Sequence, residues 1–181
     1  MTRMSEVMKD KSGTSTPLIL CIVLACLILS TAIFEYARLM IVAQGVRDAV
    51  QEAVIDVATE NWDDAYAGLR EGYSGGYSLS GSTWYTNVTT GNIYARLKDV
   101  LGLKYESGQY VKYAGDKVEY SLYGLSVSVA NAPLAPSDPN SISQLTVTGA
   151  MTVEVPLSFG WGQHPNLKLN IRFKSVYVPR F

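Results

Sequence analysis

The chain has 181 residues and a formal net charge of −1. Its length allows one membrane segment and one modest domain, without a second globular core. Lys and Arg residues are scattered, with no basic stripe and no alternation of basic and aromatic residues, so we expect no nucleic-acid partner. Both cysteines, Cys21 and Cys26, lie in one apolar run, where they are most simply small apolar side chains.

The N-terminal segment 1–13 is polar, and its basic residues outnumber its acidic ones. The positive-inside rule predicts that this segment is a cytoplasmic leader and that everything after Phe34 lies outside. Pro17 suits the first turn of a helix, where its missing N–H costs nothing. We therefore expect a single-pass protein of the inner or cell membrane with an extracytoplasmic C-terminal domain.

The apolar segment 18–34 is the strongest feature of the sequence. Eleven of its seventeen residues are Leu, Ile, Val or Phe, which favours membrane insertion by about 3 to 7 kcal/mol. As a helix it spans roughly 26 Å, slightly less than a hydrocarbon core of about 30 Å. Glu35 and Arg38 follow, and each would cost about 2.5 to 3.5 kcal/mol at the bilayer centre, so we expect both at the far interface. Three residues apart, they can pair across one helical turn.

Beyond the membrane the helix is expected to continue, so that the helical segment covers 14–70. Apolar residues recur at spacings of three and four, the period of an amphipathic helix: Leu39, Val42, Val46, Val50, Ala53 and Val57. An apolar stripe in water is unfavourable by about 25 cal/mol per Å², so the C-terminal sheet or a neighbouring helix should cover it. Val46, Val50 and Val57 are therefore candidate interface residues, together with Glu35 and Arg38.

The remainder, 71–181, is predicted to be an extracytoplasmic α+β domain. Its Gly- and Ser-rich stretch 72–82 indicates a loop, and 92–101 has helical composition with Gly102 as its stop. Four strands are expected, at 109–114, 117–130, 144–159 and 167–178, and a hairpin turn at Gly115 and Asp116. Residues 145–155 alternate between apolar and polar, which predicts an antiparallel sheet with one covered face.

The sequence contains no motif for catalysis or cofactor binding. His164 lies in a Gly- and Pro-containing turn without a cysteine or acidic partner at metal-ligand spacing. No Gly-rich phosphate loop and no nucleophile elbow is present. The acidic residues Asp63, Asp64, Glu119 and Glu154 have no context that distinguishes them from solvated surface. We expect a protein that is not an enzyme, with no metal, no cofactor and no small-molecule substrate.

Two blocks of the chain carry a resemblance to a known family. The first is IFEYARL at 33–39 followed by VRDAVQEA at 46–53, and the second is MTVEVPL at 151–157 followed by LNIRFKS at 169–175. Together they resemble the TadE-like family of pilin-like proteins from bacterial tight-adherence pilus systems. The resemblance implies a pilin-like fold, a long N-terminal helix with a β domain. It also implies a minor pilin or pseudopilin, structural and without catalysis, whose partners are other pilin-like subunits or copies of itself.

Three processing schemes are open for the N-terminus. Signal peptidase could cleave after the small residues 30–32, although the helical pattern continues through them. A lipobox-like cysteine at Cys26 is a second scheme, although strongly apolar sequence follows it. The third scheme is pilin-like, with cleavage after Gly13 and a mature chain that begins at Thr14. In that scheme Leu18 stands where many pilin-like precursors have Glu.

These patterns together predict a membrane-inserted, outward-facing subunit of a pilus or a related secretion machinery, with incorporation into a surface filament as a further expectation. The alternative is a signal-anchored extracytoplasmic binding domain whose helix is only a stalk. Self-association distinguishes the two, because a stalk works as a monomer whereas a pilin-like helix must be covered by other subunits.

Overall fold

The protein is an α+β protein with a long N-terminal helix and a C-terminal antiparallel sheet, as the sequence predicts. The computed structural model describes residues 15–60, 75–130, 144–158 and 165–177. Within these ranges the chain forms two helices and seven strands: α1 (Ser15–Thr59), β1 (Tyr77–Ser80), β2 (Thr83–Thr86), α2 (Thr90–Leu101), β3 (Lys104–Glu106), β4 (Gln109–Ala114), β5 (Lys117–Ala130), β6 (Leu145–Val155) and β7 (Leu167–Tyr177).

By packing, the chain divides into two compact units, 1–39 and 40–181. Helix α1 begins in the first unit and ends in the second. Its last residues therefore belong to the same unit as the sheet, whereas the predicted division placed the whole helix in a segment of its own, 14–70. The predicted leader, 1–13, and the predicted end of the helix after residue 60 lie outside the described residues.

Small apolar residues on the last turns of α1 form part of the core. Those that are buried are Ala43, Val46, Ala49, Val50, Ala53, Val54, Val57 and Ala58. The predicted stripe included Val46, Val50, Ala53 and Val57, and the buried face is wider than expected because it also includes Ala43, Ala49, Val54 and Ala58. Because Ala and Val have short side chains, the helix can approach its neighbours closely along this face.

The end of α1 is held by the segment that precedes α2. The Gly76 N–H donates to the Ala58 carbonyl at 2.7 Å, and the Asn87 side-chain amide donates to the Val57 carbonyl at 3.1 Å. Carbonyls in the last turn of a helix have no partner within the helix, so both bonds satisfy groups that would otherwise need water.

Helix α2 begins and ends with local capping. The Thr89 hydroxyl accepts from the Asn92 N–H at 3.2 Å, and Gly102 adopts the left-handed conformation with φ of 62°. Ile93 and Leu97, one turn apart, are fully buried. The predicted helix, 92–101, is confirmed with two further residues at its start, because the Thr89 cap begins the helix earlier than its apolar pattern does.

The five-stranded antiparallel sheet has the order β3-β4-β5-β6-β7. The alternation predicted for β6 is confirmed, since its odd-numbered apolar residues are buried: Leu145, Val147, Met151, Val153 and Val155. Helix α2 and the part of α1 that belongs to the second unit lie on this inner face. The Gln51 amide donates to the Lys174 carbonyl of β7 at 2.8 Å, and the ring of Tyr94 in α2 stacks on Tyr110 of β4 at 4.3 Å.

A bulge in β5 changes which residues face the core. Tyr123 pairs with Thr152 and Ser126 pairs with Ala150, so two residues of β5 lie opposite one of β6. Gly124 occupies the bulge with φ of 66°, a conformation that glycine adopts without steric cost. The even-numbered Leu122 is buried before the bulge, and the odd-numbered Leu125 is buried after it.

The structure corrects the prediction for 72–82. The described part of this stretch is not all loop, because Tyr77–Ser80 pairs with Thr83–Thr86 as an antiparallel hairpin. Gly81, with φ of 64°, forms its turn. Glycine and serine in this stretch indicated a loop, but here they lie in and beside a two-residue turn between short strands. The three-residue strand β3 was not predicted, whereas the turn at Gly115 is confirmed.

Candidate membrane and assembly surfaces

The apolar segment 18–34 exposes its large side chains. Phe34 is 73% exposed, and Leu18, Ile28 and Ile33 are exposed to similar extents. The helix that contains this segment is long and apolar enough to cross a membrane. Isolated surface Leu or Ile residues are ordinary in folded proteins, but a continuous apolar cylinder in water is not. Lipid or other apolar helices would remove the unfavourable contact with water.

Glu35 and Arg38 form the ion pair that their spacing predicts. Arg38 Nη1 lies 3.4 Å from Glu35 Oε2, and the two side chains are 31% and 12% exposed respectively. The neighbouring rings of Phe34 and Tyr36 are far more exposed. The pair is thus a partly covered charge pair at the end of the apolar segment, and any further cover would raise the cost of removing one partner.

Val46, Val50 and Val57 lie in the core of the domain. Val50 is 0% exposed, and the other two are also buried. The described residues include both of the covers expected for this stripe, because Val57 lines a cavity with Ala95 and Arg96 of α2 and Gln51 hydrogen-bonds to β7 of the sheet. The Ser175 hydroxyl of β7, which donates to the Gln51 carbonyl at 3.4 Å, fixes the helix against it. The predicted processing site, Gly13 and Thr14, lies outside the described residues.

The outer face of the sheet, opposite the helices, carries basic residues along β7. Lys168, Arg172 and Lys174 alternate with the buried residues of that strand and are exposed. Lys168 Nζ lies 3.5 Å from Glu154 Oε2 on the neighbouring strand. Arg172 and Lys174 face Ala150 and Thr148 across the same pair of strands. Within the described residues their head groups have no carboxylate within salt-bridge distance.

Glu154 is the best-connected carboxylate on this face. The Asn166 amide donates to it at 2.8 Å, and this bond and then the Lys168 charge lower the pKa of the carboxyl group, against an opposing effect of burial. The Glu154 charge in turn raises the pKa of Lys168. Both shifts favour the charged forms, so the pair stays ionised at neutral pH.

A polar cavity lies between the end of α1 and α2. Its volume is about 290 Å³, and its lining includes Glu60, Asn87, Asn92, Arg96 and Asp99. The Asn87 amide donates to Glu60 at 2.8 Å, and Asn92 donates to the Asn87 carbonyl at 2.6 Å. No sequence pattern indicated this network, because its members are ordinary polar residues that only the fold brings together.

The described residues show no arrangement that suggests acid–base or metal chemistry. Burial raises the pKa of Tyr120 to about 12 and raises that of Tyr94, so neither phenol ionises near neutral pH. In the part of the chain that the structure describes, no group of three His, Cys, Asp or Glu residues could hold a metal ion. His164, Asp63 and Asp64 lie outside that part.

Comparison of this chain with known proteins finds no relative. The chain matches no family model, no curated protein and no solved structure. A functional assignment must therefore be argued from the features of this chain itself. These are an exposed apolar helical segment, a charge pair at the end of that segment, and a compact α+β domain that includes the last turns of the same helix.

Proposed function

We propose that the protein is a pilin-like structural or assembly subunit, acting in a tight-adherence-type pilus or a related secretion machinery. In this proposal residues 1–13 are cytoplasmic, the apolar segment is retained in the inner or cell membrane, and the domain is extracytoplasmic. Its partners are lipid and other pilin-like subunits or copies of itself, and it performs no catalysis.

One observation carries the proposal. A single helix, Ser15–Thr59, supplies both an exposed apolar segment and core residues of the domain. A helix of 45 residues is roughly 68 Å long, about twice the thickness of a hydrocarbon core. A subunit that must leave the bilayer for an assembly benefits from such a helix, because the same apolar surface can contact lipid first and neighbouring helices later.

The alternative, a binding domain on a stalk, is less well supported. A stalk would present its outer part to solvent, but the helical residues from Ala43 to Ala58 contribute eight buried apolar side chains. A ligand site usually combines apolar walls with a few converging polar groups. The cavity beside α2 is lined mainly by polar side chains.

The experiment that tests the proposal uses two full-length copies with different C-terminal tags, expressed in the same membranes. Purification of one tag should recover the other, and the intact mass of the purified chain should retain the apolar segment, with a start at Thr14 or Met1. Recovery of one tag alone would contradict the proposal and favour the stalked monomer. A mature start at Ile33 would contradict it as well, because the apolar segment would have been removed.

A further inference from the structure

Each layer of the domain carries a cluster of charged side chains, mainly acidic in the helix layer and mainly basic along β7 on the outer face of the sheet. The helix layer includes the cavity beside α2, which is lined by Glu60, Asp99 and Arg96, and Asp56 lies 3.8 Å from Arg96. The outer face of the sheet carries Arg172 and Lys174 on β7. Because the helices cover the inner face of the same sheet, the two charged surfaces lie on opposite sides of the domain.

The basic surface is suited to contact with carboxylates. Around Arg172 the outer face is shallow and lined by small residues, among them Ser126, Ser128 and Ala150. These leave the guanidinium accessible, and the hydroxyl groups beside it are additional donors. Arg presents a planar set of donors that matches a carboxylate, and Lys174 adds a second positive charge two residues along the strand.

The acidic surface is suited to a long basic side chain. In the cavity, Arg96 is engaged by Asp56 at 3.8 Å and Glu60 accepts from Asn87. Asp99 is exposed at its rim, and its carboxylate forms no ion pair with another of the described residues. A volume of about 290 Å³ is ample for one ammonium or guanidinium head group with its last methylenes.

We infer that these two surfaces bind each other between copies of this chain, with Arg172 and Lys174 of one copy contacting the cavity beside Asp99 of the next. This inference rests on the proposed function, since it names the partner of the structural subunit. Different surfaces of the two copies meet, so the contact is heterologous and repeats in one direction, giving a ring or an open filament. The charges set partner choice and orientation more than affinity, and salt weakens the contact.

The experiment is site-directed disulfide cross-linking of the full-length chain in membranes. Cys21→Ala and Cys26→Ala remove the native thiols, which both lie in the apolar segment. One copy then carries Thr148→Cys, beside Lys174 on the outer face, and a differently tagged copy carries Ala95→Cys, at the cavity. Oxidation should link the two tags, whereas copies that all carry Thr148→Cys should not link to one another.

Charge reversal provides the matched test. Arg172→Glu with Lys174→Glu on the Thr148→Cys copy should lower the cross-linked yield about tenfold at low salt. Asp99→Lys on the other copy should then restore part of the yield. Lys117→Glu is the control, because it reverses an exposed lysine at the β4–β5 turn, outside both surfaces, and should leave the yield unchanged.

Several results would overturn the inference. If differently tagged copies co-purify but Thr148→Cys and Ala95→Cys never link, the heterologous contact is wrong while the proposed function stands. If the copies do not co-purify at all, the proposed function fails and the inference fails with it. Linkage between two Thr148→Cys copies would indicate a symmetric contact instead. Binding of polygalacturonate, lost on reversal of Arg172 and Lys174, without any cross-link would assign the outer face to an acidic polymer.

Discussion

The two apolar parts of helix α1 differ in side-chain size and in what surrounds them. Residues 18–34 are mostly Leu, Ile, Val and Phe, and their large side chains are exposed. Between Ala43 and Ala58 the apolar side chains are mostly Ala and Val, and they are buried within the domain. A fluid solvent such as lipid accepts large side chains of any shape, whereas a packed sheet requires short ones that let two backbones approach. Hydrophobicity alone therefore does not distinguish the two parts.

The largest expected effect tests the buried part. Val50→Asp places a carboxylate at a site that is 0% exposed, and we expect the domain to lose about 5 kcal/mol of stability because no partner compensates the charge. Thermal unfolding of the full-length protein in detergent measures the loss. Arg47→Asp, an exposed position on the same turn, is the control and should change stability by less than about 0.5 kcal/mol. An unchanged midpoint for Val50→Asp would mean that this part of the helix is a free stalk.

The second prediction concerns the ion pair that follows the exposed part. In a lone membrane anchor the pairing of Glu35 with Arg38 is worth about 0 to 1 kcal/mol. In an assembly that covers it, removing one partner costs roughly 3 to 5 kcal/mol, because the other charge remains buried. We expect Glu35→Ala to leave membrane insertion intact and to reduce co-purification of tagged copies.

The double change is the control for that experiment. Glu35→Ala with Arg38→Ala should impair co-purification less than Glu35→Ala alone, because no charge is left unpaired. Normal co-purification by the single variant would favour a solitary anchor. Loss of insertion would mean that the pair does not lie at the membrane interface.

The third prediction tests the sheet side of the core. A Cβ added at Gly149 would lie 2.5 Å from the Ser126 carbonyl oxygen and would also collide with the ring of Phe173. Gly149→Ala should therefore cost roughly 1 to 3 kcal/mol through overpacking. Gly45→Ala is the opposite case, because a Cβ there has no neighbour within 4 Å. It should gain up to about 1 kcal/mol from helix propensity. Equal effects of the two variants on thermal unfolding would contradict this account of the core.

The smallest expected effect is a pH dependence of stability that arises from Glu154, on the outer face of the sheet and outside both apolar parts of α1. The pKa of Glu154 is lowered from its ordinary value of 4.5, so its ionised form stabilises the fold above that value, and the stabilisation is lost as the pH falls through the folded pKa. Glu154→Gln should flatten the fall in unfolding midpoint between pH 7 and about pH 3. Solvent screens the pair, since Lys168 is 62% exposed, so the effect is small. A steeper fall in the variant would contradict the assignment.

Regular periodicity explains what could be predicted from the sequence. The alternation in β6 and the spacing of Val46, Val50 and Val57 each extend over several repeats, so burial could be inferred from the pattern. The pairing of Glu35 with Arg38 follows from helical geometry alone. Short elements such as β3 and the β1–β2 hairpin contain too few residues to show a period, and their glycines resemble those of a loop.

The two charged surfaces could not be predicted, because they depend on the tertiary arrangement. Arg172 and Asp99 are far apart in the sequence, and only the sheet order places one on the outer face and the other in the helix layer. The network of Glu60, Asn87 and Asn92 depends in the same way on how the segment before α2 meets the end of α1. Which of these side chains lie on the same surface depends on the topology of the fold, and local sequence patterns do not determine that topology.

The backbone conformation of Gly124 determines which side chains of β5 lie on the outer face of the sheet. After the bulge, Ser126 and Ser128 face outward and Leu125 faces the core, because one extra residue has shifted the alternation of β5. A residue that disfavours φ of 66° at this position would favour regular pairing without the bulge. The register would then shift by one residue, so that Ser126 and Ser128 would face the core and Leu125 would face outward. The serine hydroxyl groups therefore lie on the outer face because of the backbone conformation at Gly124. A family of related chains could convert that face from polar to apolar by a change at one glycine, with every serine and leucine kept.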